Sequence, residues 1–150
     1  MLWFAALLMF AQSAPQQQCA AMDVNLPPPL AAWTAPGRGE LGDLTKPVTV
    51  AMASPRSVTG LPAGAKPGNA AAIPFRVSAA GVYGIAVDQP VWIDVTAPGT
   101  VPLTSVSHGH GPECSTIRKI VRFDLKPGSY TIYLSGLGEA NVRVMLVTGE

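Results

Sequence analysis

Both histidines of this 150-residue chain, one of its two cysteines and a carboxylate fall within Ser107-His108-Gly109-His110-Gly111-Pro112-Glu113-Cys114. These are the side-chain types that bind transition metals or move protons near neutral pH. Two imidazoles and one carboxylate form the donor set of a facial iron(II) centre, and neutral imidazole also suits copper, zinc and nickel. His108, His110 and Glu113 are therefore candidate ligands for Cu, Zn or Fe. On a strand, positions 108 and 110 point the same way, and both rings reach one ion. Gly109, Gly111 and Pro112 favour a loop, in which the imidazoles hydrogen-bond locally and Gly and Pro merely shape the turn.

Two further groups bear on this loop. In Trp92-Ile93-Asp94-Val95, strand alternation sets Trp92 and Asp94 opposite Val91, Ile93 and Val95. A strand running beside the loop would make Asp94 a further ligand, or a group that orients a histidine through its second nitrogen. Arg118, Lys119 and Arg122 form a small basic group that either holds an anion or is a solvated strand face. Other chemistries find less support. Ser107 beside His108 lacks the Gly-x-Ser-x-Gly elbow of a serine hydrolase, and no glycine-rich phosphate loop occurs. A net charge of +1 with few basic residues does not indicate a nucleic-acid binder.

Residues 2–11 are a continuous apolar run, too short for a bilayer but suited to the hydrophobic stretch of a signal peptide. Ala11 and Ser13 supply small residues for cleavage after position 13, although no Lys or Arg precedes the run. A buried N-terminal helix is the alternative. No later segment is long and apolar enough to span a membrane, so the expected location is periplasmic or secreted. In such an oxidising compartment Cys19 and Cys114, the only cysteines, default to a disulfide. Its long loop is worth roughly 4–5 kcal/mol in the chain-entropy account. The competing role for Cys114 is that of a thiolate ligand beside His110.

The elements that must position these residues read as strands. Few charges and 15 each of Gly and Pro fit short strands with tight connections. Residues 14–37, with Pro27-Pro28-Pro29, are expected to be an extended Pro-rich N-terminal arm of polyproline character. Leu26, Leu30 and Trp33 would pin it to a domain spanning 38–150. Strands are expected at 48–53, 73–78, 82–87, 91–95, 101–106, 117–125, 129–135 and 142–148, and residues 54–69 are irregular. Along 117–125, Val121, Phe123 and Leu125 share one face and Arg118, Arg122 and Asp124 the other. Eight short strands with turn signals at this spacing indicate an all-β fold, an antiparallel β-sandwich of jelly-roll type. There is also an internal echo. Phe75 to Ile85 parallels Phe123 to Ile132, each with a Tyr two residues after a turn glycine, and two similar hairpins are expected there.

Those phrases, Ala80-Gly81-Val82-Tyr83-Gly84-Ile85 and Pro127-Gly128-Ser129-Tyr130-Thr131-Ile132, resemble the hairpin of bacterial pre-peptidase C-terminal (PPC-like) domains. Those are secreted β-sandwiches that act as accessory or binding modules. Cys19 to Trp33, Trp92 to Val95, and Gly109-His110-Gly111-Pro112-Glu113-Cys114-Ser115-Thr116-Ile117-Arg118-Lys119 are similar to a group of small exported alphaproteobacterial proteins. Many of these carry the name homogentisate 1,2-dioxygenase. That resemblance implies iron(II), molecular oxygen and cleavage of an aromatic ring, with His108, His110 and Glu113 as ligands. The pattern His-x-His-x-x-Glu also approaches the first cupin motif, although no histidine follows His110 to supply a second. Two functions follow as expectations. One is a non-catalytic binding or structural module with a transition-metal site at His108 and His110. The other is an iron-dependent ring-cleaving dioxygenase. The ligand or protein partner is left open.

Overall fold

Strand alternation sorts the apolar side chains of this protein onto two faces, and two sheets result. The computed structural model describes residues 18–35, 44–99 and 101–149. The expected signal peptide, at 1–13, and the ends of the arm lie outside the described residues. The strands are β1 (Val48–Ala51), β2 (Asn69–Val77), β3 (Gly81–Val87), β4 (Trp92–Thr96), β5 (Ser107–Gly109), β6 (Lys119–Leu125), β7 (Gly128–Leu137) and β8 (Asn141–Val147). They form a five-stranded sheet in the order β1-β8-β3-β6-β5 and a three-stranded sheet in the order β2-β7-β4. All pairings are antiparallel. The all-β sandwich expected from the strand pattern is the fold.

An eight-stranded jelly roll pairs first with eighth, second with seventh, third with sixth and fourth with fifth. The first three of these pairings are present as β1·β8, β2·β7 and β3·β6. The fourth is not, because β5 pairs with β6 instead. The strand expected at 101–106 does not form. That segment touches β4 through Leu103 N–H donating to Val95 O (2.8 Å), and touches β6 through Val106 N–H donating to Arg122 O (2.8 Å). One side of the sandwich, between β4 and the β5–β6 edge, is left open as a result.

Between the sheets, Ile73, Phe75 and Val77 of β2, Ile93 and Val95 of β4 and Ile132 and Leu134 of β7 face the other sheet. They meet Ile85, Val87, Val121, Phe123, Leu125, Val142, Val144 and Leu146. The intervening residues Ala86, Ile120, Met145 and Val147 are buried too, on the outer face of the larger sheet. The N-terminal arm covers them. Residues Pro28–Thr34 form a 3-10 helix where polyproline structure was expected. Pro at its first positions needs no N–H there, and the short helix places residues three apart on one face. Those residues are Leu30 and Trp33, the latter 0% exposed. Trp33 also donates from Nε1 to Thr116 Oγ1 (2.9 Å), lies 4.9 Å from the Arg143 guanidinium, and offers its carbonyl to that same guanidinium. Leu26 packs at the margin of this cluster.

The internal echo has a structural meaning, with one correction. The two units are arches that carry the chain from one sheet to the other, not hairpins: β2 and β3 lie in different sheets, as do β6 and β7. The arches lie against each other, since β2 pairs β7 and β3 pairs β6, with Phe75 opposite Tyr130 and Phe123 opposite Tyr83. In each arch the tyrosine hydroxyl donates to the carbonyl four residues back, Tyr83 to Ala79 (2.6 Å) and Tyr130 to Lys126 (2.7 Å). A local bond of that kind fixes each sheet-to-sheet crossing.

Candidate functional site

The histidine run is split by its own backbone. β5 covers only Ser107–Gly109, and its register with β6 sets His108 opposite Val121. Cross-strand partners share a face, so the His108 side chain is carried to the inner side with Val121. The strand stops before His110. There Arg118 Nη1 lies 3.5 Å from His110 Nδ1. A guanidinium only donates, so this contact makes Nδ1 the acceptor and puts a fixed cation beside the ring. Glu113 is exposed in the following turn, and Cys114 adopts a left-handed backbone with φ of 54°. The Cys114 sulfur is bonded to Cys19, with Cα atoms 5.4 Å apart, so it is not a thiolate ligand. Intact mass should accordingly rise by two alkylating groups only after reduction, and labelling of the unreduced protein would refute the bond.

Gly111 has a packing role. A Cβ there would stand 2.1 Å from Ile117 O, because the loop folds back on its own end. Gly111→Ala should displace this turn and lower the denaturant midpoint by the equivalent of about 1–3 kcal/mol. An unchanged midpoint would show that the backbone approach is looser than this.

A three-ligand metal centre does not fit this arrangement. Among the described residues no three His, Cys, Asp or Glu side chains come together as a metal-holding group. His108 and Asp94 both line the open side of the sandwich, but His110 and Glu113 do not line it. The basic residues divide likewise. Lys119 lines the opening with Val121 and Phe123, whereas Arg122 lies with Ile120 and Val147 on the opposite face of β6. Arg118 is taken up at His110.

The opening is a cleft of about 390 Å³ between β4 and the β5–β6 edge. Its apolar surface comes from Ile93, Leu103, Val121 and Phe123, and its polar groups are Trp92, Asp94, Ser105, His108 and Lys119. A concave apolar surface with a few convergent polar groups is the usual form of a small-molecule site, and the volume is within the usual range. A larger hollow of about 480 Å³, walled by β1, β2 and residues 57–59, has no ionisable side chain in its lining. Trp92 organises the rim of the cleft. It is 42% exposed and donates from Nε1 to Asp94 Oδ2 (3.0 Å). The Lys66 and Lys119 ammonium groups lie 4.4 and 5.7 Å from its ring centroid, within cation–π reach. Lys119 Nζ also donates to Val91 O (3.0 Å).

Sequence reasoning missed Lys66 and misplaced Lys119. Parity would have found the second, because position 119 shares the face of Val121, Phe123 and Leu125. Nothing local points to Lys66. It sits in the irregular stretch before β2, and the backbone N–H of Lys66 donates to the hydroxyl of Ser135 (2.9 Å), a buried polar residue on β7.

Asp94 and Lys119 each bear a burial cost in the cleft. Desolvation pushes the Asp94 carboxyl above its ordinary value, against the opposing pull of the Trp92 indole and Lys66. Desolvation also holds the Lys119 ammonium below its ordinary 10.5. For Lys119 the folded state releases its proton more readily than the unfolded chain. The charge therefore costs stability at neutral pH, and that cost fades as pH rises through the lowered value towards 10.5. Lys119→Met should raise the denaturant midpoint at pH 7, with the gain shrinking as pH rises towards 10.5. A variant less stable than wild type at pH 7 would contradict this.

No family model, curated protein or solved structure matches this chain. Among the described residues, no helix is long and apolar enough to cross a membrane.

Proposed function

We propose that this protein is an exported, non-catalytic binding module whose ligand site is the cleft between β4 and the β5–β6 edge. One observation carries the reading: where the fourth jelly-roll pair would close the sandwich, the fold leaves an apolar recess rimmed by Trp92, Asp94, His108 and Lys119. Charged groups held at a cost to stability mark positions where recognition outweighs packing. The apolar run at 2–11 and the Cys19–Cys114 bond support export.

A fragment library titrated into ¹⁵N-labelled protein tests the reading. Amide shifts should cluster at Trp92, Asp94, Ser105, His108 and Lys119, and Trp92→Ala should remove them without unfolding a side chain that is already largely outside the core. Shifts confined to another face, or none, would reject the cleft. The dioxygenase reading that the resemblance implies calls for His108, His110 and Glu113 on one iron, and the separation of His110 and Glu113 from the cleft weighs against it. Mature protein supplied with iron(II), oxygen and homogentisate should consume no oxygen above the iron control. Uptake abolished by His108→Ala would overturn the non-catalytic role.

A further inference from the structure

We infer that the cleft binds a small apolar monocarboxylate, its carboxylate taken by the Lys119 ammonium and its hydrocarbon body laid on Leu103, Val121 and Phe123. The inference rests on the cleft reading above and names the ligand class. Among the described residues, Lys119 is the only Lys or Arg in the lining of the recess, and it stands on the same face of β6 as the apolar residues Val121 and Phe123. An ammonium carries three N–H donors, and Val91 O accepts one of them. The remaining donors can serve an incoming anion in a partly desolvated site, where a charge-assisted bond is stronger than at an open surface.

The charge balance at the rim favours an anion. Asp94 is engaged by the Trp92 indole and is countered by Lys66 across the ring. Lys66 and Lys119 against Asp94 leave one net positive charge, and that charge is at Lys119, inside the recess. The apolar surface asks for a body with few polar groups, and about 390 Å³ suits one small molecule. A polyhydroxylated ligand would leave Ile93, Leu103, Val121 and Phe123 facing hydroxyls that they cannot satisfy.

The test uses four probes with the mature protein at pH 7: benzoate and hexanoate, and their neutral counterparts benzyl alcohol and hexanol. Binding is read from ¹⁵N amide shifts and Trp92 fluorescence. Expected are saturable shifts with one or both carboxylates, with at least tenfold weaker binding of the matched alcohol. Whichever acid is tighter separates aromatic from aliphatic bodies. Lys119→Met should weaken carboxylate binding at least tenfold, Lys119→Arg should largely restore it, and Asp94→Asn should tighten it severalfold by removing the opposing charge. A thermal melt of Lys119→Met at or above the wild-type temperature separates lost recognition from lost fold. Alcohols binding as tightly as acids, or Lys119→Met binding unchanged, would overturn the carboxylate assignment while leaving the cleft a site. No cleft shifts with any of the four probes would overturn the assignment too. If the fragment library also leaves the cleft unmoved, the broader reading fails with it.

Discussion

Replacing Trp33 with alanine is expected to cost about 3–5 kcal/mol of folding stability, the largest effect of any single side-chain truncation proposed for this protein. The indole is fully buried beneath the larger sheet with Leu30, Ala86, Ile120 and Met145. An aromatic side chain of this size removes about 150–250 Å² from water, worth ~4–6 kcal/mol at 25 cal/mol per Å². Truncation also leaves Thr116 Oγ1 without its indole donor and the Arg143 guanidinium without its ring. Loss of the arm's anchor exposes the outer apolar face of β3, β6 and β8, so a rise in binding of a hydrophobic dye should accompany the lower midpoint. Trp33→Phe should retain much of the stability, because it refills most of the volume and lacks only the N–H. An alanine variant with an unchanged midpoint would mean that the arm does not hold this face in solution.

Removing the Cys19–Cys114 bond is the second large effect. The bond closes a separation of 95 residues, for which the chain-entropy account gives about 4–5 kcal/mol. In a domain of this size that corresponds to a fall in melting temperature of ~10–15 °C. The double substitution Cys19→Ser/Cys114→Ser should match wild-type protein melted in reductant, and should itself ignore reductant. The native contacts survive in part, because Asp23 N–H donates to Cys114 O (2.8 Å) and its carboxylate accepts from Thr116 N–H (2.7 Å). The variant should therefore fold, with the arm still docked at low temperature. Equal melting temperatures with and without reductant, with free thiols shown after treatment, would refute a stabilising role.

These two effects concern the arm, and the arm shows where sequence reading succeeds and where it stops. Leu26, Leu30 and Trp33 stand out as anchors because large apolar residues recur in an otherwise Pro- and Ala-rich stretch. The surface they cover is also written in the chain. Val144-Met145-Leu146-Val147 is apolar without alternation, as expected of a strand buried on both faces. The 3-10 helix is less accessible, since Pro28 and Pro29 are equally compatible with polyproline and helix-start backbone. Burial of Leu30 and Trp33 on one face decides between them. The strand expected at 101–106 failed for a related reason. Its β-branched residues favour extension, but a strand also needs a ladder, and this segment gives its Leu103 N–H to β4 and its Val106 N–H to β6.

Within the candidate site, the sequence drew attention to a cluster by proximity along the chain, whereas the fold groups residues by face and edge. His108 and His110 are two apart, yet His108 lines the cleft while His110 lies beside Arg118, past the end of β5. Lys119 and Arg122 are three apart and fall on opposite sides of β6. Asp94 and His108, 14 positions apart in the numbering, line one cleft, as the conditional reading of the Trp92 strand allowed.

By itself the amino-acid sequence determined the all-β sandwich, the positions of most strands, the anchors of the arm and the single cysteine pairing. Each of these follows from local periodicity, turn chemistry or simple counting. Only the tertiary structure decided which strand edge stayed unpaired, which basic residue turned inward, and that Lys66 reaches Trp92 from a distant loop. Those outcomes depend on backbone register and on contacts between segments remote in sequence, such as Lys66 with Ser135 and His108 with Val121. A residue's type records the chemistry it can do, and only the pairing of strands decides which other residues it will do it with.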